Sequence, residues 1–263
     1  MRRDPAAVAQ TAADAAGAVI RRYFRTLPDV VTKPDDSPVT LADQGAEAAI
    51  RSIFKEQTPD FGMIGEEMGG SASGRYTWVV DPIDGTRAFI TGRPIFATLI
   101  ALLDDGVPIL GLIDQPITGE RWLAHEGVLH FTGRHGGPGT RRIAGLADAE
   151  LSCTSPDMFP PALYPRFRSL ATACRRVTYG GDAYGYGLLA LGQIDIIAEA
   201  GLKPWDWAAL VPVIQAAGGS VTDWNGETLT LDSDGTVVAV GDPRHCAAVV
   251  SALSSPVRPS VSG

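Results

Sequence analysis

Cysteine is scarce in this chain, and the three present, Cys153, Cys174 and Cys246, fall at no metal-knuckle spacing. An odd count fits a reducing compartment better than a disulfide framework, so the expected location is cytoplasmic. Long apolar runs are missing: nothing approaches the roughly 20 residues of a membrane span. Residues 6–19 are rich in small apolar side chains after Arg2-Arg3, as a signal peptide would be, but Asp4, Gln10 and Asp14 break the pattern. Basic runs are missing too. The chain sets 22 Lys and Arg against 30 Asp and Glu, a net charge of −8, which argues against nucleic acid as a partner. An acidic protein still takes a phosphate ester where bound cations invert the local field. No internal repeat is visible. What remains, with 45% hydrophobic and 20% charged residues over 263 positions, is an ordinary soluble protein of one large or two modest domains.

Helical spacing of Val8, Ala12, Ala15, Val19 and Tyr23 predicts a first amphipathic helix over residues 6–27. A turn-rich connector follows over 28–38. A second helix is expected over 40–57, its stripe formed by Ala46, Ile50, Ile53 and Phe54, with Asp43 on the inward face of its first turn. Strands are expected at 62–65 and 76–80, then an antiparallel hairpin of 95–103 and 107–113 about Asp104-Asp105-Gly106. Further strands fall at 119–124 and 127–131. Four glycines within 133–139 suggest a hinge. Beyond it strands and helices alternate, including a helix over 205–217. The expected organisation is an N-terminal α+β lobe over 1–135 with most of the metal ligands. A C-terminal α/β lobe over 136–253 carries the substrate side, and a disordered tail covers 254–263.

The densest chemistry lies in Asp81-Pro82-Ile83-Asp84-Gly85-Thr86, directly after the apolar Trp78-Val79-Val80. Pro82 fixes φ and stops the strand. Asp81 and Asp84 converge if the chain curls between them, and the Ile83 carbonyl adds a further oxygen. Gly85 permits close approach of a ligand, and Thr86 opens a helix whose first amides point at an anion. Upstream, Glu66 of Ile64-Gly65-Glu66-Glu67 is the natural proton acceptor for Thr86. Asp206 of Pro204-Trp205-Asp206-Trp207 closes the site from the far side. Four acids beside buried strands suit a hard divalent cation. Each motif alone reads as a turn, a solvated loop or a helix N-terminus. His125, His130 and His135 recur every five residues, a spacing that gives no shared face and no metal site.

Together these segments, with Ala217-Gly218-Gly219, resemble the inositol-monophosphatase superfamily of Mg²⁺-dependent, Li⁺-sensitive phosphomonoesterases, over nearly the whole chain. The resemblance implies an αβαβα layered sandwich, usually dimeric, with two or three Mg²⁺ per site. It places metal ligands on Glu66, Asp81, Asp84, Asp206 and the Ile83 carbonyl. It gives Asp43 the role of assisting Thr86, and it gives phosphate contacts to the backbone of Asp84, Gly85 and Thr86. The segment 85–94 (GTRAFITGRP) and Tyr179-Gly180-Gly181-Asp182-Ala183-Tyr184 resemble the histidinol-phosphate phosphatases within that superfamily. Asp182 and Glu199 are acceptors for an ammonium and an imidazole, although Asp182 also suits a helix cap. Arg87 and Ala183 flank the expected substrate, and Lys203 either touches it or pairs with Glu199. The rival substrates are inositol phosphates, a nucleotide 3′-phosphate and fructose bisphosphate. A haloacid-dehalogenase reading fails because two residues, Pro82 and Ile83, separate the acids where that class has one. The remaining rival is a non-catalytic regulatory binder.

Overall fold

The computed structural model describes residues 4–26, 30–32 and 38–254. Most of the expected connector and the expected tail beyond Ser254 lie outside the described residues.

Helix α1 (Pro5–Tyr23) starts where the Asp4 carboxylate accepts from the Ala6 N–H at 3.0 Å. Its buried stripe is Val8, Ala12, Ala16 and Ile20, and the alanines let α2 (Leu41–Gln57) lie close against it. Between the two helices, β1 (Val30–Thr32) pairs antiparallel with β2 (Pro38–Thr40). The larger sheet comprises β3 (Gly62–Gly65), β4 (Gly69–Ser71), β5 (Tyr76–Asp84), β6 (Ala97–Asp104), β7 (Val107–Gln115), β8 (Glu120–His125) and β9 (Val128–Thr132). Its order is β4-β3-β5-β6-β7-β8-β9, antiparallel except where β3 runs parallel to β5. A short helix, α3 (Thr86–Ile90), leads from β5 towards β6.

The smaller sheet contains β10 (Glu150–Cys153), β11 (Arg176–Tyr179), β12 (Ile196–Glu199), β13 (Ser220–Thr222) and β14 (Val237–Val240), in the order β11-β10-β12-β14-β13. Helices α4 (Tyr164–Ala173) and α8 (Cys246–Ser254) pack together and share a core with this sheet that includes Phe167, Leu170, Trp224 and Val249. Helices α5 (Asp182–Leu189) and α7 (Leu210–Ala216) touch strands of both sheets, and their residues join one core with Trp122, Ile197 and Val237. Helices α1 and α2 cover the opposite face of the larger sheet. The layers therefore run helix, sheet, helix, sheet, helix, which is the αβαβα sandwich expected from the resemblance.

Several elements differ from the sequence expectation. Helix α1 ends at Tyr23, four residues early. Strand β4 was not anticipated, since Gly69-Gly70-Ser71 carries no apolar alternation. The helix expected over 205–217 is two pieces, α6 (Pro204–Trp207) and α7, because Pro212 cannot donate to the carbonyl of Ala208. The glycine-rich segment is anchored at its end: the N–H of Gly139 donates to Ala190 at 2.8 Å and that of Thr140 to Ala217 at 3.0 Å. No helix among the described residues is long and apolar enough to cross a membrane.

Candidate active site

In a regular strand, side chains three residues apart point to opposite faces. Strand β5 breaks that rule where it matters. It does not stop at Pro82, as the ring's fixed φ suggests, but runs on to Asp84 through a bulge. Asp81 pairs with Leu99 and Asp84 with Ala97, so three steps on β5 match two on β6. The extra residue turns both carboxylates the same way. Proline is tolerated at such a bulge, where its missing N–H costs the ladder nothing. Within the bulge the Ile83 N–H donates to Asp81 Oδ1 at 2.9 Å, and buried Thr98 donates to the Pro82 carbonyl at 2.8 Å.

Asp206 arrives from α6. Its carboxylate accepts the Lys203 N–H at 2.7 Å, which fixes it at the helix start. The junction of α6 and α7 lies hard against β7: a Cβ on Gly111 would stand 2.1 Å from the Ala209 carbonyl oxygen. Glycine at 111 thus lets α6 approach the sheet. As a result, ligand oxygens of Asp81, Asp84 and Asp206 all lie within 4.8 Å of one another. Among the described residues this is the grouping of acids or histidines that suits a metal ion. His125 and His130 stand opposite Val128 and Leu123 on β8 and β9 and form no such group.

Glu66 lies outside that trio, yet its charge raises the pKa of both Asp81 and Asp206. Thr86 Oγ1 is 3.4 Å from Asp43 Oδ2 and 3.2 Å from the Ile83 carbonyl oxygen. Asp43 is 1% exposed on the inward face of α2, as its helical position requires. Burial is the first cause of the electrostatic strain. It pushes Asp81 well above the usual carboxylate range, with Glu66, Asp84, Asp206 and Asp43 adding to it. It pushes Asp84 up likewise, with Asp182, Asp206 and Glu199 adding, against one N–H bond from Ala183. Asp206 is carried to about 7. Acids so arranged either take up protons or share a cation, and an all-oxygen donor set fits a hard divalent ion such as Mg²⁺.

Beside the trio opens a pocket of about 200 Å³, lined on its polar side by Asp84, Asp182, Glu199 and Asp206. Asp182 has φ +43°, a conformation that few non-glycine residues adopt, and burial and Glu199 raise its pKa to about 6. It lies against Gly85 (φ +90°), where a Cβ would stand 2.9 Å from the Asp182 carboxyl. Arg87 and Arg93 are exposed, but near enough to Asp182 to lower its pKa.

Of the expected substrate-side residues, Ala183 is 1% exposed and its N–H donates to Asp84 Oδ2. Lys203 is exposed, and Glu199 does not need it. The Glu199 oxygens accept from the Thr154 N–H at 2.7 Å and the Tyr186 hydroxyl at 2.9 Å. The sequence reading missed Thr154, Met158 and Tyr186, which line the pocket from distant elements with no local signature. It also missed Glu47, although Glu47 follows Asp43 by four residues on the same helix face.

A model of the inositol monophosphatase family matches residues 2–255. The chain is 48% identical over 238 residues to the bifunctional phosphatase IMPL2, chloroplastic, of Arabidopsis thaliana, covering 89% of this chain and 68% of that protein. It is 40% identical to a histidinol-phosphatase of Mycobacterium tuberculosis over 86% of this chain and 90% of that one. The solved structure of an inositol monophosphatase from Zymomonas mobilis superposes with a TM-score of 0.87 at 43% identity, covering 96% of this chain and 98% of that one. The chain belongs to the inositol monophosphatase family.

Proposed function

We propose that this phosphatase is a Mg²⁺-dependent phosphomonoesterase that hydrolyses L-histidinol phosphate to L-histidinol and phosphate, a step of histidine biosynthesis. The observation that carries the substrate is the surplus of acid. Beyond the metal trio, Asp182 and Glu199 line the same pocket, and among the described residues no Lys or Arg lines it with them. A polyol needs both donors and acceptors, whereas an ammonium and an imidazole need acceptors. Relatives named histidinol-phosphatase, at 40% and 36% identity in Mycobacterium tuberculosis and Chlorobaculum parvum, support the reading.

Glu66, Asp81, Asp84, Asp206 and the Ile83 carbonyl would hold two or three Mg²⁺. When bound, Mg²⁺ supplies positive potential for the phosphate oxygens and lowers the pKa of water. The rest of the work falls to positioning. Thr86, set between Asp43 and the Ile83 carbonyl, orients the attacking water together with Glu66. The backbone of Asp84, Gly85 and Thr86 meets the phosphate, and Arg87 adds charge from outside. Asp206 lies on the pocket side, towards the leaving alkoxide. The reading extends to a cytoplasmic homodimer, which light scattering tests.

A substrate panel with Mg²⁺ decides the matter. Histidinol phosphate should give the highest kcat/KM. Faster turnover of inositol 1-phosphate would overturn the substrate while leaving the phosphatase chemistry in place.

A further inference from the structure

Helix α2 presents two buried carboxylates to the site, one turn apart. Asp43 reaches Thr86, and Glu47, fully buried, reaches the turn that follows β3. Glu47 Oε2 accepts the Glu67 N–H at 2.7 Å and Oε1 accepts the Met68 N–H at 3.1 Å. Arg51, four residues along the helix, closes the arrangement: its Nε donates to Glu47 Oε1 at 2.8 Å, and its Nη2 donates to the Gly69 carbonyl. Three successive residues of the turn are thus tied to one helix face. Gly65 leaves the space, since a Cβ there would stand 2.2 Å from Glu47 Oε1. Glu66 sits between Gly65 and Glu67, within this clamp, and its own N–H donates to the Val80 carbonyl at 3.3 Å.

We propose that Glu47 and Arg51 are a positioning pair that fixes the backbone immediately after Glu66, so that its carboxylate is held ready for the cation. The proposal rests on the metal-dependent reading above. A buried carboxylate is costly unless its oxygens are satisfied. Here the N–H groups of the turn and the Arg51 guanidinium satisfy them, so turn and carboxylate hold each other in place. Supporting partners of metal ligands commonly govern affinity by about 10–100-fold.

The test uses the full-length protein and Mg²⁺ alone. Glu47→Gln should weaken Mg²⁺ binding by about tenfold or more in calorimetry. Amide exchange at residues 66–69 of the metal-free protein should accelerate, and kcat should recover at high Mg²⁺. Arg51→Gln should shift affinity the same way by less. A lower Tm with unchanged Mg²⁺ affinity and unchanged exchange would overturn the proposal. If Glu47→Gln fails to fold, Arg51→Gln carries the same readouts, and unchanged affinity there overturns it. A wild-type protein that binds no Mg²⁺ would overturn the metal-dependent reading itself, a result separable from the variant data.

Discussion

Asp84 has two attachments, the Ala183 N–H and the metal trio. Asp84→Asn keeps an acceptor for that N–H and removes the charge. Several kcal/mol of lost charge stabilisation, at about 1.4 kcal/mol per tenfold, means activity should fall roughly a thousandfold with the far-UV spectrum unchanged. Asp206 makes the opposite point about stability. Its folded pKa, about 7, lies above the ordinary value, so the folded state binds a proton that the unfolded state has released. That contribution is present at pH 4, is lost as pH rises through 7, and is absent above. Asp206→Asn should therefore raise the Tm of chelator-treated protein at pH 8, raise it less at pH 5, and lower it in Mg²⁺; thermal scans check all three. Asp182 must be ionised to hold a cation, and its pKa is about 6. KM for histidinol phosphate should fall as pH rises from 5 to 7. Asp182→Asn should raise that KM about tenfold and leave turnover of inositol 1-phosphate nearly unchanged, as expected for one charge-assisted hydrogen bond.

At the scale of elements, two departures from regularity build the site. The bulge in β5 points Asp81 and Asp84 the same way, and the break between α6 and α7 sets Asp206 beside them. The hairpin β6–β7 was legible because Asp105 and Gly106 adopt φ +48° and +84°, which their residue types favour. The bulge was not, because proline after an aspartate equally signals a strand end. Its partner residues, Leu99 and Ala97, lie more than a dozen positions on. Gly111 belongs to the same class of hidden requirement. Gly111→Ala should force the α6–α7 junction off β7, cost about 1–3 kcal/mol by overpacking, and weaken Mg²⁺ binding. Chemical denaturation and calorimetry on one preparation measure both effects.

Across the whole molecule, the proposed metal site makes Mg²⁺ a stabiliser, since the ion would bind the folded acids alone. At a hundred times Kd the gain is about 2.7 kcal/mol, or roughly 5–11 °C in Tm for a chain of this size. A chelator should reverse it. Two thiols, Cys153 buried and Cys174 half-buried, should also stay quiet: desolvation raises both to about 12, so neither should be alkylated by iodoacetamide at pH 8 before unfolding, as peptide mapping would show. The expected hinge at 133–139 leads into a segment tied to Ala190 and Ala217, and the core containing Trp122 also includes Ile197 and Val237 from the smaller sheet.

The chain's own order of residues determined the acids that do chemistry, the apolar runs that become central strands and the helices that cover them. These depend on local periodicity and on residue type, both of which can be read within a short window. Tertiary structure alone decided which carboxylates share one point and which are satisfied elsewhere. It brought Asp206 to Asp81, left Glu199 bonded to Thr154 and Tyr186, and enlisted Glu47 behind Glu66. Such pairings depend on register, on a single extra residue in a strand and on where a glycine leaves room, and those quantities exist only once distant segments are packed together.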